Sequence, residues 1–288
     1  MGTTRNKKSE ALDHRQHAAG GSAAAPHDSF GDRSSRLHRV GLADLHMHTT
    51  ASDGLGTPEQ VLEHAQHRTD LDVIAITDHD TIDGALRARD LVAEGDYRFD
   101  FIVGEEISTR EGHLLALFIE RTIQPGMSIE RSIDLVHEQG GLAIVAHPFN
   151  RVFRHSVQRS VMDRLLRQPH VHPDGIETLN GSFAGIGSSR VAMTYSRRFY
   201  RWAETGSSDA HTLTAIGCAR TRFVGRTAAD VRTSLEARLT APLGGFWAPR
   251  EYLTFTGHLM KYRAAGAIAA RGGRASERAV LAASQRGA

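Results

Sequence analysis

GLADLHMHTTASDG, residues Gly41–Gly54, places a short apolar run directly before two histidines spaced two apart, and closes on Asp53-Gly54. Residues i and i+2 of an extended segment project to one face. His46 and His48 can therefore line one cavity without the backbone turning, while Leu45 and Met47 point the other way into packing. The same layout recurs outward along the chain. Apolar runs that read as strands lie at Leu42–Leu45, Val73–Ile76, Phe99–Val103, Leu114–Phe118, Leu142–Val145, Ile176–Leu179 and Arg222–Val224. Amphipathic stretches separate many of them. Thr57-Pro58-Glu59-Gln60 has the cap, the first-turn proline and the capping-box partner of a helix start. Ser128 opens a second helix that runs to Gly140-Gly141, a glycine stop. Thr227 opens a third, with Asp230 in its first turn. Strand–helix alternation predicts an α/β fold with a mainly parallel sheet, open or closed into a barrel. In either case functional groups collect at the carboxyl ends of the strands.

Histidines and acids fall at those ends. His46, His48 and Asp53 follow the first run, Asp78 and His79 the second, and Glu105 and Glu106 the third. His113 opens the fourth and His147-Pro148 follows the fifth. Asp209 and His211, again two apart, stand in GSSDAH. Taken singly, each has an ordinary explanation: a hydrogen-bonded strand-end histidine, an aspartate in a turn before glycine, a helix cap, a surface carboxylate. Together they predict a polynuclear metal site. The lone Cys218 rules out a thiolate cluster, so the ligands must be imidazole and carboxylate. Of the 17 histidines, His14, His17 and His27 lie in a polar arm. His64, His67 and His137 lie in predicted helices, and His170 and His172 in a proline-flanked loop. These, with His155 and His258, are assigned to background.

Composition adds bounds. The 288 residues carry a net charge of +2 and are 40% hydrophobic and 24% charged, ordinary for a globular protein. No apolar run approaches the roughly 18 residues that span a membrane. Residues 1–38, rich in Ala, Gly, Ser, His and charge, are expected to be a disordered arm. Residues 257–288 are expected to form a basic Ala/Arg-rich tail. The first residues lack the apolar core of a secretory signal, and Asn6 stands where a myristoylation motif wants Ser or Thr. The expected location is cytoplasmic, with no membrane and no obligate protein partner.

DLHMHTTASDG, AITDHDTIDG, GEEIS, GHLLAL, AIVAHPFN, DGIETLNG and GSSDAH, in that order, resemble the successive motifs of the PHP (polymerase and histidinol phosphatase) metal-dependent phosphoesterases. The resemblance spans roughly Leu42 to Val224 and implies a distorted (β/α)7 barrel over residues 39–256, with two or three divalent ions (Mn, Fe or Zn) in its mouth. It implies that His46 and His48 hold one ion with Asp209 and a bridging Glu106, and that Asp53, His79 and His211 hold another. His113 and His147, again with Glu106, would complete a third position. Glu106 fits the family's Gly-x-Glu pattern better than Glu105. The resemblance is to the shorter, stand-alone members, and HPFNRVFRHS with DGIETLNGSF points to the branch acting on small nucleotides and ribo-oligonucleotide ends. The implied activity is hydrolysis of phosphate esters by metal-activated water. Histidinol-phosphate phosphatase and a non-catalytic metal-binding module stand as alternatives. Asp53, His79 and Arg151 are the expected catalytic side chains, and Arg151, Arg154, Asn180 and Arg190 the expected contacts to the small phosphoester substrate. The leaving group's proton donor is left open among a metal-bound water, Asp78 and a histidine.

Overall fold

The computed structural model describes residues 39–151, 155–168, 170–258 and 260. The arm expected at 1–38, most of the tail expected at 257–288, and Arg154 lie outside them. The strands are β1 Val40–Asp44, β2 Val73–Ile76, β3 Asp100–Ser108, β4 His113–Leu117, β5 Leu142–Val145, β6 Gly175–Asn180, β7 Ala203–Ser207, β8 Ala219–Val224 and β9 Ala241–Gly244. The helices are α1 Pro58–Arg68, α2 Asp83–Glu94, α3 Ile129–Glu138, α4 Arg159–Leu166, α5 Ser189–Tyr195 and α6 Ala228–Glu236, with a π-helical turn at Ser196–Tyr200 and a 3-10 turn at Leu213–Ala215. Residues 249–258 form a further helical stretch. No described helix is long and apolar enough to cross a membrane.

The strands form one sheet in the order β7-β6-β5-β4-β3-β2-β1-β8-β9. Its ends approach each other: Gly206 N donates to Thr221 Oγ1 (3.1 Å), and that hydroxyl donates back to Gly206 O (2.8 Å). Beyond β1 and β7 the closure continues, with Met47 and Ala210 in a parallel bridge and His48 N donating to Ala210 O at 2.9 Å. The sheet is a nearly closed, distorted α/β barrel.

Alternation along the strands divides the core. Val73 and Ala75 of β2, Leu115 and Leu117 of β4, and Leu142 and Ile144 of β5 belong to the inner cluster. Their neighbours Ile74 and Ile76 pack outward with α1 and α2, and Leu114, Ala116, Ala143 and Val145 pack outward with α3. α3 supplies Ile129, Ile133 and Val136, an i, i+4, i+7 stripe, all buried. Each such side chain contributes roughly 1.5–3 kcal/mol of apolar burial. Val231 and Leu235 of α6 join the inner cluster. Because β8 ends beside Val40, at the start of β1, α6 plugs the barrel at the end opposite His46.

The expected caps are present. Thr57 Oγ1 accepts from Gln60 N (3.3 Å) while Gln60 Oε1 accepts from Thr57 N (3.0 Å). Ser128 accepts from Arg131 N, and Thr227 forms a capping box with Asp230. α3 gives way to Gly140 at φ +73°, the left-handed region that glycine enters without a Cβ penalty.

Three expectations need correction. The sheet is not mainly parallel: β3/β4, β4/β5, β1/β8 and β8/β9 are antiparallel. The β3–β4 link is a tight turn, Thr109 N donating to Gly112 O (3.1 Å), too short for the crossover that parallel pairing needs. Two strands, β7 and β9, are absent from the sequence reading, and β3 runs on to Ser108. Leu45 and Met47 are both buried but not together: Leu45 joins the inner cluster and Met47 the outer one, because β1 ends at Asp44 and the chain bends before its bridge to Ala210.

Candidate metal centre

The ligand-type side chains stand at the end of the barrel opposite α6, on backbone that is itself paired. His46 and His48 follow β1. His79 follows β2 and bridges Glu106 of β3. Asp209 and His211 follow β7, where Asp209 takes φ +50°. A left-handed non-glycine residue costs on the order of 1–3 kcal/mol and persists where its surroundings impose it. Here it swings the carboxylate back into the barrel mouth.

Glu106 is the hub. Its Oε2 lies 3.0 Å from His46 Nε2, 3.2 Å from His48 Nε2 and 3.3 Å from His79 Nδ1. Its Oε1 lies 2.7 Å from His113 Nδ1 and 2.9 Å from His147 Nε2. Asp209 Oδ1 approaches His48 Nε2 (3.2 Å) and His46 Nε2 (3.4 Å). Asp53 Oδ1 approaches His211 Nε2 (3.2 Å) and His48 Nδ1 (3.7 Å). Donor atoms thus fall into three groups, each within 4.8 Å: His46, His48, Glu106 and Asp209; His48, Asp53, His79 and His211; and His79, Glu106 and His113.

The electrostatics are those of a buried, mutually compensating cluster. Burial opposes charge on Glu106 and Asp209, yet His46 and its neighbouring imidazoles hold both carboxyls well below their usual range. Burial likewise opposes a proton on His46 and His48. Glu106 and Asp209 override it, carrying His46 well above its ordinary value and His48 to about 10. On His79 burial prevails, helped by His48 and His113, and the ring falls to about 4.

A fit test for metal comes from the orphaned nitrogens. His48 Nδ1, His79 Nδ1, His113 Nδ1 and His147 Nδ1 are buried without a hydrogen-bond partner. Two of them, on His79 and His113, nevertheless sit against Glu106. Ring nitrogens that close to carboxylate oxygens, at angles that make no hydrogen bond, are disposed as co-ligands of a shared cation. Outer partners fix the other rings. His46 Nδ1 pairs with Glu177 Oε1 (3.1 Å), leaving Nε2 for the centre. His211 Nδ1 pairs with the backbone carbonyl of Asp209 (2.9 Å), leaving Nε2 towards Asp53. A histidine anchored at one nitrogen by a carboxylate or carbonyl presents the other in a set tautomer. The residues, an imidazole–carboxylate donor set, therefore fit divalent metal.

Comparison with known proteins accords with this geometry. Residues 190–240 match a family described as PHP-associated. An uncharacterised protein of Methanocaldococcus jannaschii is 34% identical over 149 residues, 48% of this chain and 81% of that one. The fold is that of a two-domain Bacteroides vulgatus protein containing a predicted PHP-like metal-dependent phosphoesterase. That match has a TM-score of 0.59 and 20% identity, over 72% of this chain and 65% of the other. The chain belongs to the PHP family. Its reaction class is hydrolysis of phosphoester bonds. A shorter stretch of 83 residues is 43% identical to the 5'-3' exoribonuclease Rnm of Salmonella typhimurium, covering 27% of this chain and 28% of that enzyme.

Within this PHP chain the structure brings together His46, His48, Asp53, His79, Glu106, His113, His147, Asp209 and His211. The residues expected to contact substrate are dispersed. Arg151 is exposed and lines an adjoining groove with Arg159 and Tyr195. Arg190 is exposed on α5. Asn180 is buried, its amide donating to Glu177 Oε2 (2.8 Å) and Asp209 Oδ2 (3.1 Å), so it braces carboxylates instead of meeting a ligand. Asp78 is corrected as a proton-donor candidate: its oxygens accept from Thr49 N (2.7 Å), Thr49 Oγ1 (2.7 Å) and Ser52 Oγ (2.6 Å). Glu105 turns away, accepting from Ile123 N, and burial pushes its carboxyl up to about 8.

Three participants escaped the sequence reading. His155, assigned to background, lines the cavity and stacks on His113 with centroids 4.9 Å apart. Glu177 also accepts from His147 N (2.8 Å) and is fully buried beside His46. Ser182 Oγ donates to Asp209 Oδ2 (2.7 Å). A sequence signal existed for Glu177 alone: a carboxylate in mid-strand, flanked by Ile176 and Thr178, demands a buried partner.

Proposed function

We propose that this PHP chain hydrolyses phosphate esters of nucleotides or short oligonucleotides, with two or three divalent ions held by the nine side chains gathered at the barrel mouth. The observation that carries the proposal is the Glu106 carboxylate, within 3.3 Å of five imidazoles. A carboxylate so shared would serve as a ligand common to ions at neighbouring positions. In the roles proposed, His46, His48 and Asp209 serve one position, Asp53, His79 and His211 a second, and His113 and His147 a third. Ions bound there would supply Lewis acidity, lower the pKa of water from 15.7 towards about 7, and offset charge on the phosphoryl oxygens.

The protein's own contribution is placement. Asp53 and His79 are 40% and 26% exposed in their side chains, against 1% or less for His46, His48 and Glu106. They are the cluster members that an incoming phosphoryl group and its attacking water meet at the rim. Glu177, Asn180 and Ser182 hold His46 and Asp209 in position from behind. The nucleotide assignment rests on the local likeness to the exoribonuclease and on the adjoining groove of about 370 Å³, where Arg151 offers a cation for a further phosphate while Arg159 is paired with Asp163 (3.3 Å). Arg159 also lies over the Tyr195 ring at 4.7 Å.

A substrate panel tests the proposal. Nucleoside monophosphates, short 5'-phosphorylated oligoribonucleotides and histidinol phosphate are incubated with purified chain and Mn(II), with and without chelator. Chelator-sensitive release of phosphate or nucleoside monophosphate from the first two classes is the expected result. Turnover of histidinol phosphate alone, or of nothing, refutes it.

A further inference from the structure

Above the ligand cluster the cavity, of about 300 Å³, is walled by His155, Ser182, Phe183, Ala184, Trp247 and Phe255. Among the described residues no lysine or arginine lines it. The aromatic part is continuous: Phe255 lies 4.4 Å from the His211 ring and 5.8 Å from Trp247, and Phe183 lies 6.4 Å from Trp247 and 4.1 Å from Tyr252. Two of its hydrogen-bonding groups are engaged within the protein. Trp247 Nε1 donates to Ser208 O (2.7 Å), and the single hydrogen of Ser182 Oγ lies between Asp209 Oδ2 and Asn180 Oδ1, each at 2.7 Å. Phe183 is 36% exposed, and Phe255 is half-buried.

We infer that this wall receives the flat ring of the ester's alcohol, a nucleobase, and binds it through its π face. The inference rests on the hydrolase reading above and adds which residues set substrate choice. Among the described residues the wall has no cation for a second phosphate, whereas Arg151 stands in the neighbouring groove. Trp247 Nε1 and Ser182 Oγ, both engaged within the protein, are not free to read a base edge. The wall offers apolar aromatic area beside the metal ligands, and a base stacks on such area whatever its sequence identity. Purines, with the larger face, should bind better than pyrimidines, and adenine and guanine should bind alike.

The test compares non-hydrolysable phosphonate analogues of adenosine, guanosine and uridine monophosphates and of ribose 5-phosphate. Binding to Mn(II)-loaded full chain is measured by calorimetry, alongside turnover of the parent esters. The adenosine analogue should bind at least about tenfold more tightly than the ribose analogue, within the roughly 5- to 150-fold span that stacking of one base confers. Adenosine and guanosine analogues should agree within about threefold, an estimate of the residual spread of edge-blind stacking. In Phe255→Ala and Phe183→Ala the ratio of base-bearing to baseless affinity should fall towards one. Both side chains are only partly buried, and circular dichroism confirms that each variant folds. Equal affinities for base-bearing and baseless ligands, or an unchanged ratio in both variants, overturn the inference. Equal turnover of the two ester types does the same while leaving the hydrolase intact. Stacking-dependent binding with no turnover of any ester upholds the wall and sinks the hydrolase.

Discussion

Glu177→Gln isolates the outer support of the centre. The native carboxylate accepts at both oxygens: Oε1 from His46 Nδ1 (3.1 Å), Oε2 from His147 N (2.8 Å) and Asn180 Nδ2 (2.8 Å). Glutamine keeps the shape but has one oxygen and one NH₂. The oxygen retains the two donors that cannot reverse, the backbone N–H and the Asn180 amide. The NH₂ then faces His46 Nδ1, which must become an acceptor. The ring proton moves to Nε2, the atom 3.0 Å from Glu106 and 3.4 Å from Asp209, and its lone pair is lost to the centre. Loss of an outer partner costs about 10–100-fold in metal affinity, or about 1.4–2.7 kcal/mol. Mn(II) affinity by competition with a chromophoric chelator, with elemental analysis after dialysis, is the assay. Folding is checked by circular dichroism. A folded Glu177→Gln chain whose Mn(II) affinity matches the native chain within about twofold, against the 10–100-fold expected, refutes the role given to Glu177 and the Nε2 assignment of His46.

Asp209→Ala removes a member of the first donor group and should lower bound metal and phosphoesterase rate together; native rates in the variant contradict the assignment. Mn(II) at 100 times its dissociation constant should stabilise the fold by about 2.7 kcal/mol, seen as a melting temperature that rises with metal and falls with chelator. Gly84→Ala should destabilise by about 1–3 kcal/mol, because a Cβ would collide with the Asp78 carboxylate and approach Thr49 Oγ1. That outweighs the roughly 1 kcal/mol alanine gains in a helix, and a urea midpoint at or above native would show the contact to be soft. His137 pairs with Asp174 (2.9 Å), which raises the ring's pKa against its partial burial. The pair's contribution is therefore full below the unfolded value of about 6.5 and fades as pH rises through the folded value. The stability gap between native and His137→Gln, below about 1 kcal/mol because the pair is partly exposed, should shrink from pH 5.5 to 9 (about one unit below and about 2.5 units above that ordinary value) in urea titrations. A gap that widens reverses the sign.

The ligands were legible because a strand period of two sorts side chains by face, so HxH and DxH carry geometry in their spacing. His155 was not, because its position depends on a loop folding back. Phe149 N donates to Val157 O (2.9 Å), Asn150 N to Ser156 Oγ (2.9 Å) and His113 N to His155 O (2.9 Å), and no periodicity announces such a return. AETGS of β7 lacks the apolar run that marks a strand: Gly206 allows close approach to β8, and Thr205 directs its hydroxyl to Ile176 O of β6. β9 carries Pro242, which fits only a strand at the sheet's edge. The arginines were selected by nearness in sequence to strand ends. Arg190 shows the weakness of that criterion, because a helix begins at Ser189 and carries the side chain to solvent.

The Met47–Ala210 bridge has a consequence for the order of events during synthesis. The HMH and DAH segments are laid side by side as neighbouring rungs, so the cation cage has a seam joining stretches of chain made early and late. Until His211 has left the ribosome only the His79–Glu106–His113 group is complete, and the two groups that need Asp209 or His211 close late in folding. A protease pulse during refolding, with and without Mn(II), should find its metal-dependent protection concentrated along this join.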